Sequence, residues 1–176
     1  MKKALTSLAG VAVAALATLT APIARAAPAT AVSNCTSANV AVTLGHEGAG
    51  MGHVGVFLLF TNTSTSVTCA MHGYPTASYG LSDGTTLTAA KTLLGWTGGV
   101  SQGTTAPGVI LAPGQQASAI VEWTDIVNAG QQCYSGISTN LRITPPGMGK
   151  VTTLSVGTPC GNFEVHPVVP GTSGDY

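Results

Sequence analysis

Short apolar stretches separated by Gly, Pro, Asn and Asp follow one another along this chain from about residue 39 to residue 168. Residues 53–60 form the longest stretch, and their almost continuous apolar character is typical of a central strand in a sandwich. An Asp83-Gly84 pair between two such stretches predicts a β-hairpin turn. No segment shows the periodicity of an amphipathic helix. The pattern therefore predicts an all-β fold, a single immunoglobulin-like antiparallel β-sandwich.

The N-terminus has the order of features that a secretion signal requires. Lys2 and Lys3 precede an apolar run over residues 4–19, and the small-residue site Ala24-Arg25-Ala26 follows. We therefore expect residues 1–26 to be a signal peptide, residues 27–34 a flexible lead-in and residues 171–176 a C-terminal tail. The product would be secreted, either extracellular or associated with the cell envelope, and would have no membrane span after cleavage.

Charge is scarce in the residues that follow the predicted signal. Three are basic (Lys91, Arg142 and Lys150) and six are acidic, which gives a net charge of −3. A typical soluble domain has about a quarter of its residues charged. So weakly charged and slightly acidic a surface offers no attraction to phosphates, which excludes nucleic acid and anionic lipid as partners.

Several short strings occur in an order that is informative as a set. They surround the four cysteines and are Phe60-Thr61-Asn62-Thr63, Gly73-Tyr74-Pro75, Leu81-Ser82-Asp83-Gly84, Leu111-Ala112-Pro113-Gly114, Val121-Glu122-Trp123, Ile143-Thr144-Pro145-Pro146-Gly147 and Val165-His166-Pro167-Val168. Over residues 35–170 the chain resembles the secreted actinobacterial family called domain of unknown function 4232 (DUF4232). The resemblance implies an exported immunoglobulin-like domain and implies no activity.

The four cysteines permit three pairings. Export would place them in an oxidising compartment, where cysteines form disulfides. We favour Cys35–Cys69, which would tie the opening strand to a later segment, and Cys133–Cys160, which would secure the C-terminal strands. The alternative, a metal or redox centre, has no C-x-x-C spacing to support it.

Histidines are the groups with the greatest chemical potential in this sequence. His46 and His53 lie at the ends of a Gly-rich connection that we expect to be flexible, and Met51 between them would suit a soft metal. His72 could join them if its turn lies at the same end of the domain. The other interpretation is that all four are ordinary polar residues, and the absence of an H-x-H or H-E-x-x-H string favours it. We therefore expect no metal and no cofactor.

No arrangement of residues in this sequence predicts catalysis. The one G-x-S-x-G string, residues 99–103, lies in a Gly-rich segment rather than between a strand and a helix, so no serine sits in a nucleophile elbow, and the acidic residues stand singly. Strand alternation places Glu122 opposite Trp123, so we expect a core Trp123 and solvent-facing Glu122 and Asp125. The chain is therefore expected not to be an enzyme.

Trp96 lies in a long Gly-rich segment, residues 91–107, that has no strand pattern. An exposed tryptophan on such a loop is a candidate anchor for an extracellular protein or glycan. Alternatively, the loop folds back as a lid on the edge of the sandwich. The sequence as a whole predicts a monomeric, non-catalytic binding module, with an exported metal-binding protein that uses His46, His53 and possibly Met51 and His72 as the alternative.

Overall fold

Twelve β-strands account for the regular structure of the part of the chain that the structure describes. The computed structural model describes residues 31–127 and 133–176, so the predicted signal peptide and residues 27–30 of the predicted lead-in lie outside the described residues. No described residue is in a helix, and none of the described segments is therefore a membrane-spanning helix. The strands are β1 (Val40–Gly50), β2 (His53–Asn62), β3 (Cys69–His72), β4 (Thr76–Gly80), β5 (Thr86–Thr88), β6 (Ala90–Lys91), β7 (Gly108–Leu111), β8 (Gln116–Thr124), β9 (Asn140–Thr144), β10 (Thr152–Ser155), β11 (Gly161–Val165) and β12 (Val169–Pro170).

The strands form three sheets. The largest has the order β1-β2-β8-β11-β6, with β12 also paired to β8; the second has the order β10-β9-β4-β5, and the third is β3-β7. The ladders are antiparallel except for the short β11–β6 pair, which is parallel. The sandwich is antiparallel as expected, apart from this short pair at its edge. A parallel pair needs a long crossover, and the chain between β6 and β11 supplies one.

The hydrophobic core lies between the two larger sheets. The first sheet contributes Leu58, Val121 and Trp123, and the second contributes Tyr79 and Leu141, all at most 2 % exposed. Tyr79 also packs on Phe163, with ring centroids 5.2 Å apart. The prediction of a core Trp123 is confirmed, and the all-β architecture fits the expected immunoglobulin-like sandwich.

Both predicted disulfides are confirmed. Cys35 is bonded to Cys69 and Cys133 to Cys160, and no cysteine of the chain is free. Ser33, in the predicted lead-in, accepts a hydrogen bond from the amide of Ala70. The lead-in therefore joins the sheet before Cys35. Two disulfides in a domain of this size indicate an oxidising environment.

The Gly-rich connection between His46 and His53 is a strand rather than a flexible loop. β1 continues to Gly50, which pairs directly with His53, and the turn consists of Met51 and Gly52 alone. Their φ angles of 51° and 82° are left-handed, as a tight two-residue hairpin turn requires. The prediction of flexibility was wrong because hydrogen bonds to β2 stabilise the glycines in extended form.

The outer face of the largest sheet, on the side away from the core, is covered by two segments distant in sequence. Residues 92–100, here called the Trp96 loop, lie over β8, and the C-terminal residues pair with this loop through bonds such as Gly99 N–H to Gly174 O (3.0 Å) and Tyr176 N–H to Gly99 O (3.0 Å). The Ser118 hydroxyl of β8 accepts the amide hydrogen of Gly174. Residues 171–176, predicted as a tail, are thus part of the fold.

Candidate functional site

Glu122 is buried at the centre of the covered outer face. It lies on β8, directly opposite Gly55 of β2 and Glu164 of β11, and only 4 % of it is exposed. The expectation that Glu122 faces solvent was therefore wrong. Strand alternation correctly placed Glu122 on the face of β8 opposite to Trp123. The Trp96 loop covers that outer face, so both faces of β8 are buried.

Four hydrogen bonds converge on the Glu122 carboxylate. Oε1 accepts from the Trp96 amide (3.0 Å) and from Nδ1 of His53 (3.2 Å). Oε2 accepts from the amide and the hydroxyl of Thr97 (2.6 and 2.7 Å). A carboxylate only accepts hydrogen bonds, so all four donors point at it. Bonds of this kind are stronger than neutral ones, and three of these four attach the Trp96 loop to the sheet.

These contacts determine the ionisation of Glu122. Burial raises its pKa, but the nearby His166 and the hydrogen bonds from Thr97 and Trp96 lower it by more. The resulting pKa is about 2, below the usual value of 4.5. Glu122 is therefore an anion at any ordinary pH. The loop is held by a buried negative charge whose partners are two backbone amides, one hydroxyl and one imidazole.

Gly55 makes room for this attachment. A Cβ at Gly55 would overlap the Thr97 hydroxyl and approach Thr97 Cβ to 2.7 Å. Since Gly55 is the cross-strand neighbour of Glu122, its missing side chain opens the slot through which Thr97 reaches the carboxylate. The glycine is required here by close approach of the loop rather than by its backbone conformation.

Trp96 remains exposed although its loop is fastened down. Its ring stacks on His53, with centroids 5.1 Å apart and an interplanar angle of 16°, and 58 % of the residue is accessible to solvent. His53 itself is held by Glu122. The loop does fold back on the sheet, as the lid interpretation expected, but it covers the outer face and leaves one side of the indole open.

Other exposed apolar side chains surround the same end of the sheet. Met51, at the tip of the β1–β2 hairpin beside His53, is 81 % exposed, and Ile126 is 55 % exposed. Ile126 packs against Gly52, and the amide of Asp125 donates to the carbonyl of Gly52. We call Met51, Trp96 and Ile126 the apolar patch; the exposed residue Asp125 borders it.

His166 lies below the Trp96 loop and is fully buried. Its Nδ1 is 3.2 Å from the carbonyl oxygen and 3.2 Å from the hydroxyl of Thr92, and its Nε2 is 3.6 Å from Glu122 Oε2. The Thr92 hydroxyl donates to Glu164 at 3.0 Å. Thr92, His166 and Glu122 thus follow the hydroxyl–imidazole–carboxylate order of a catalytic triad. However, the Thr92 hydroxyl donates to Glu164, and the His166 imidazole has no access to solvent.

The residues considered for a metal site in the sequence are dispersed. His46 stacks on Phe57, with centroids 3.6 Å apart. Gly50 is the partner of His53 in the β1–β2 hairpin, and His46 precedes Gly50 by four residues. At about 3.3 Å per residue, His46 is therefore about 13 Å from that position along the strand. His72 is exposed at the end of β3. Within residues 31–127 and 133–176, the side chains that converge in a metal-like group are instead Glu122, Glu164 and His166.

A family model described as Domain of unknown function (DUF4232) matches residues 35–169. The chain belongs to this family. No curated protein and no solved structure shows significant similarity to it. The matched part of this DUF4232 domain contains Trp96, Glu122 and His166, whereas the last C-terminal residues that pair with the Trp96 loop lie beyond the match.

Sequence reasoning missed the cluster around Glu122 because its members come from four separate segments of the DUF4232 domain. One signal was present. Ile120 shares the face of Glu122 on β8, and an isoleucine there indicates a covered face rather than a solvated one. Nothing in the sequence indicated which segment covers it.

Proposed function

We propose that this protein is a secreted, monomeric, non-catalytic binding domain that contacts a protein partner through Trp96. The observation that carries the proposal is the contrast between a loop fastened by a buried carboxylate and a tryptophan on that loop that is 58 % exposed. A rigid aromatic side chain loses little conformational entropy on binding, which is why tryptophan is enriched among residues that dominate interfaces. The stack on His53 restricts the ring further.

The surroundings of Trp96 favour a protein over a glycan. Met51 and Ile126 add exposed apolar surface, whereas the Thr97 hydroxyl, the nearest polar group on the loop, is already engaged with Glu122. A sugar-binding site needs free hydrogen-bonding groups around its aromatic ring. Asp125 at the border supplies the charge, so the partner segment we propose carries apolar side chains next to a lysine or arginine.

Two further observations support the proposal. The disulfides fit a protein that works outside the cytoplasm. The Thr92–His166–Glu122 row supports a non-catalytic role, because a general base must reach the substrate and His166 is 0 % exposed. The metal-binding alternative through His46, His53, Met51 and His72 gains no support from their positions.

The test is selection of binders from a phage-displayed library of random peptides on the disulfide-bonded domain. We expect peptides that combine apolar residues with Lys or Arg. Trp96→Ala should weaken them by at least about 30-fold, the loss typical of an interface hot spot. Ile110→Ala is the matched control, because Ile110 is an equally exposed apolar residue (61 %) on the separate β3–β7 sheet, and it should leave binding unchanged.

Near-ultraviolet circular dichroism of the buried Trp123 verifies that the Trp96→Ala protein is folded. Peptides that bind Trp96→Ala as tightly as the unchanged domain would refute the proposal, as would a selection that gives no Trp96-dependent binder.

A further inference from the structure

Three potential metal ligands meet beneath the Trp96 loop, on the covered face of the sheet. Glu122 and Glu164 are direct cross-strand neighbours on β8 and β11, and His166 follows β11 by one residue. One donor atom from each lies within 4.8 Å of the other two. Glu122 and His166 are buried, and Glu164 is half-buried.

The charges in this cluster are unbalanced. Like charges directly opposite each other on neighbouring strands are destabilising, and the effect is larger where water is excluded. Among the described residues, the ion-pair contacts of Glu122 are with the two histidines His53 and His166, and no Lys or Arg side chain forms one with either glutamate. A cation between the two carboxylates would offset this repulsion.

His166 is arranged as a metal ligand usually is. Its Nδ1 faces the Thr92 carbonyl, which only accepts, so Nδ1 carries a hydrogen, and Nε2 of the neutral ring offers a lone pair to a metal ion. Metal-binding histidines characteristically donate their second ring N–H to a carbonyl or carboxylate in this way. Nε2 is buried and has no hydrogen-bond partner, although it is directed at Glu122.

The distance between the His166 and Glu122 donor atoms fits two ligands of one ion better than a direct hydrogen bond. A charge-assisted N–H···O bond is about 2.7–2.9 Å long, whereas His166 Nε2 and Glu122 Oε2 are 3.6 Å apart. Two ligands at about 2.1 Å from one tetrahedral ion are separated by about 3.4 Å. We propose that Glu122, Glu164 and His166 bind one divalent metal ion of the zinc class between them.

The donor set determines the class of metal. One imidazole nitrogen and two carboxylates suit Zn²⁺, and also Co²⁺ or Mn²⁺, rather than the soft Cu⁺ ion. All four cysteines are in disulfides, so no thiolate competes. Three protein ligands leave the fourth position of a zinc ion for water.

Gly95 closes the site from above. A Cβ at this residue would overlap His166 Nε2 and come within 2.7 Å of Glu122 Oε2, so it would intrude between the two donor atoms. An ion bound there would lie directly beneath the Trp96 loop and would link β8 to β11 and to His166. This inference does not depend on Trp96 contacting a partner.

The experiment is calorimetric titration of the chelator-treated, disulfide-bonded domain with Zn²⁺, together with the visible spectrum after Co²⁺ addition. We expect one Zn²⁺ per chain and the intense absorption of a tetrahedral cobalt site. Glu164→Gln changes the half-buried ligand and so disturbs folding least; it should weaken binding by at least about tenfold, and His166→Gln should abolish it. His72→Gln, which alters an exposed histidine, should change nothing.

Gly95→Ala is the sharpest variant, because it removes no ligand yet should prevent binding. Circular dichroism of Trp123 verifies folding in each case. Absence of stoichiometric Zn²⁺ binding would overturn the proposal. So would Zn²⁺ binding that persists unchanged in the folded Glu164→Gln variant, since the ion would then be held elsewhere.

Discussion

Replacement of Glu122 by Gln tests whether a buried carboxylate holds the Trp96 loop. The substitution keeps the shape of the side chain but turns one acceptor oxygen into a donor NH₂ group, which faces either the two Thr97 donors or those of Trp96 and His53. Two charge-assisted hydrogen bonds are lost, each worth about 1.5–3 kcal/mol. We expect the free energy of unfolding to fall by about 3–5 kcal/mol.

The pKa of Glu122 gives a second, independent magnitude. It is lowered from 4.5 to about 2 in the folded protein, and each pH unit corresponds to about 1.4 kcal/mol, so the charge contributes about 3 kcal/mol. Because the folded pKa is the lower one, this contribution is complete above about pH 4.5 and is lost as the pH falls to about 2. The difference between Glu122→Gln and the unchanged protein should therefore shrink over that window.

Urea unfolding in the presence of a chelator measures both effects. The midpoint and slope at pH 7 give the loss of stability, and a series from pH 7 to pH 2 gives its pH dependence. Trp96 and Trp123 are the two tryptophans of the chain, so Trp96→Phe leaves Trp123 as the sole fluorescent tryptophan for reporting on the core. Glu47→Gln is the matched control, since it makes the same change at an exposed glutamate of β1. A loss below about 1 kcal/mol, or one that persists unchanged at pH 2, would refute the attachment we describe.

Two further substitutions test the packing that surrounds the site. Gly55→Ala should destabilise the domain by about 1–3 kcal/mol through overpacking, because its Cβ would collide with Thr97. Gly80→Ala is the control: an added Cβ there meets nothing within 4 Å, so the free energy of unfolding should change by no more than about 0.5 kcal/mol in the same urea assay. Equal effects of the two substitutions would contradict the slot for Thr97. Replacing Cys35 and Cys69 together by Ala should cost about 3–4 kcal/mol, given their separation of 34 residues, and a thermal melt unchanged from the oxidised protein would show that this disulfide does not stabilise the fold.

Much of the architecture was predictable from local patterns. The apolar stretch at residues 53–60 is the central strand β2, the Asp83-Gly84 turn joins β4 to β5, and Trp123 is in the core. Both disulfides pair as expected. The strand, the turn and the position of Trp123 follow from side-chain alternation and turn chemistry, which act between residues close in sequence.

The hairpin between β1 and β2 shows where prediction from the local sequence failed. Its glycines suggested a flexible connection, but hydrogen bonds to β2 stabilise them in an extended conformation up to Gly50. The intrinsic freedom of glycine is a weak preference, and pairing with a neighbouring strand overrides it.

What the sequence by itself determined was the class of the fold, most of its strands and the expectation that its cysteines pair, because each depends on periodicity, turn residues or cysteine chemistry. Only the tertiary structure determined that Glu122 is buried. Alternation correctly placed it on the face away from the core, but whether that face meets water depends on the Trp96 loop and the C-terminus, which cover β8 from elsewhere in the chain. A carboxylate becomes a buried anion only when such distant donors converge on it.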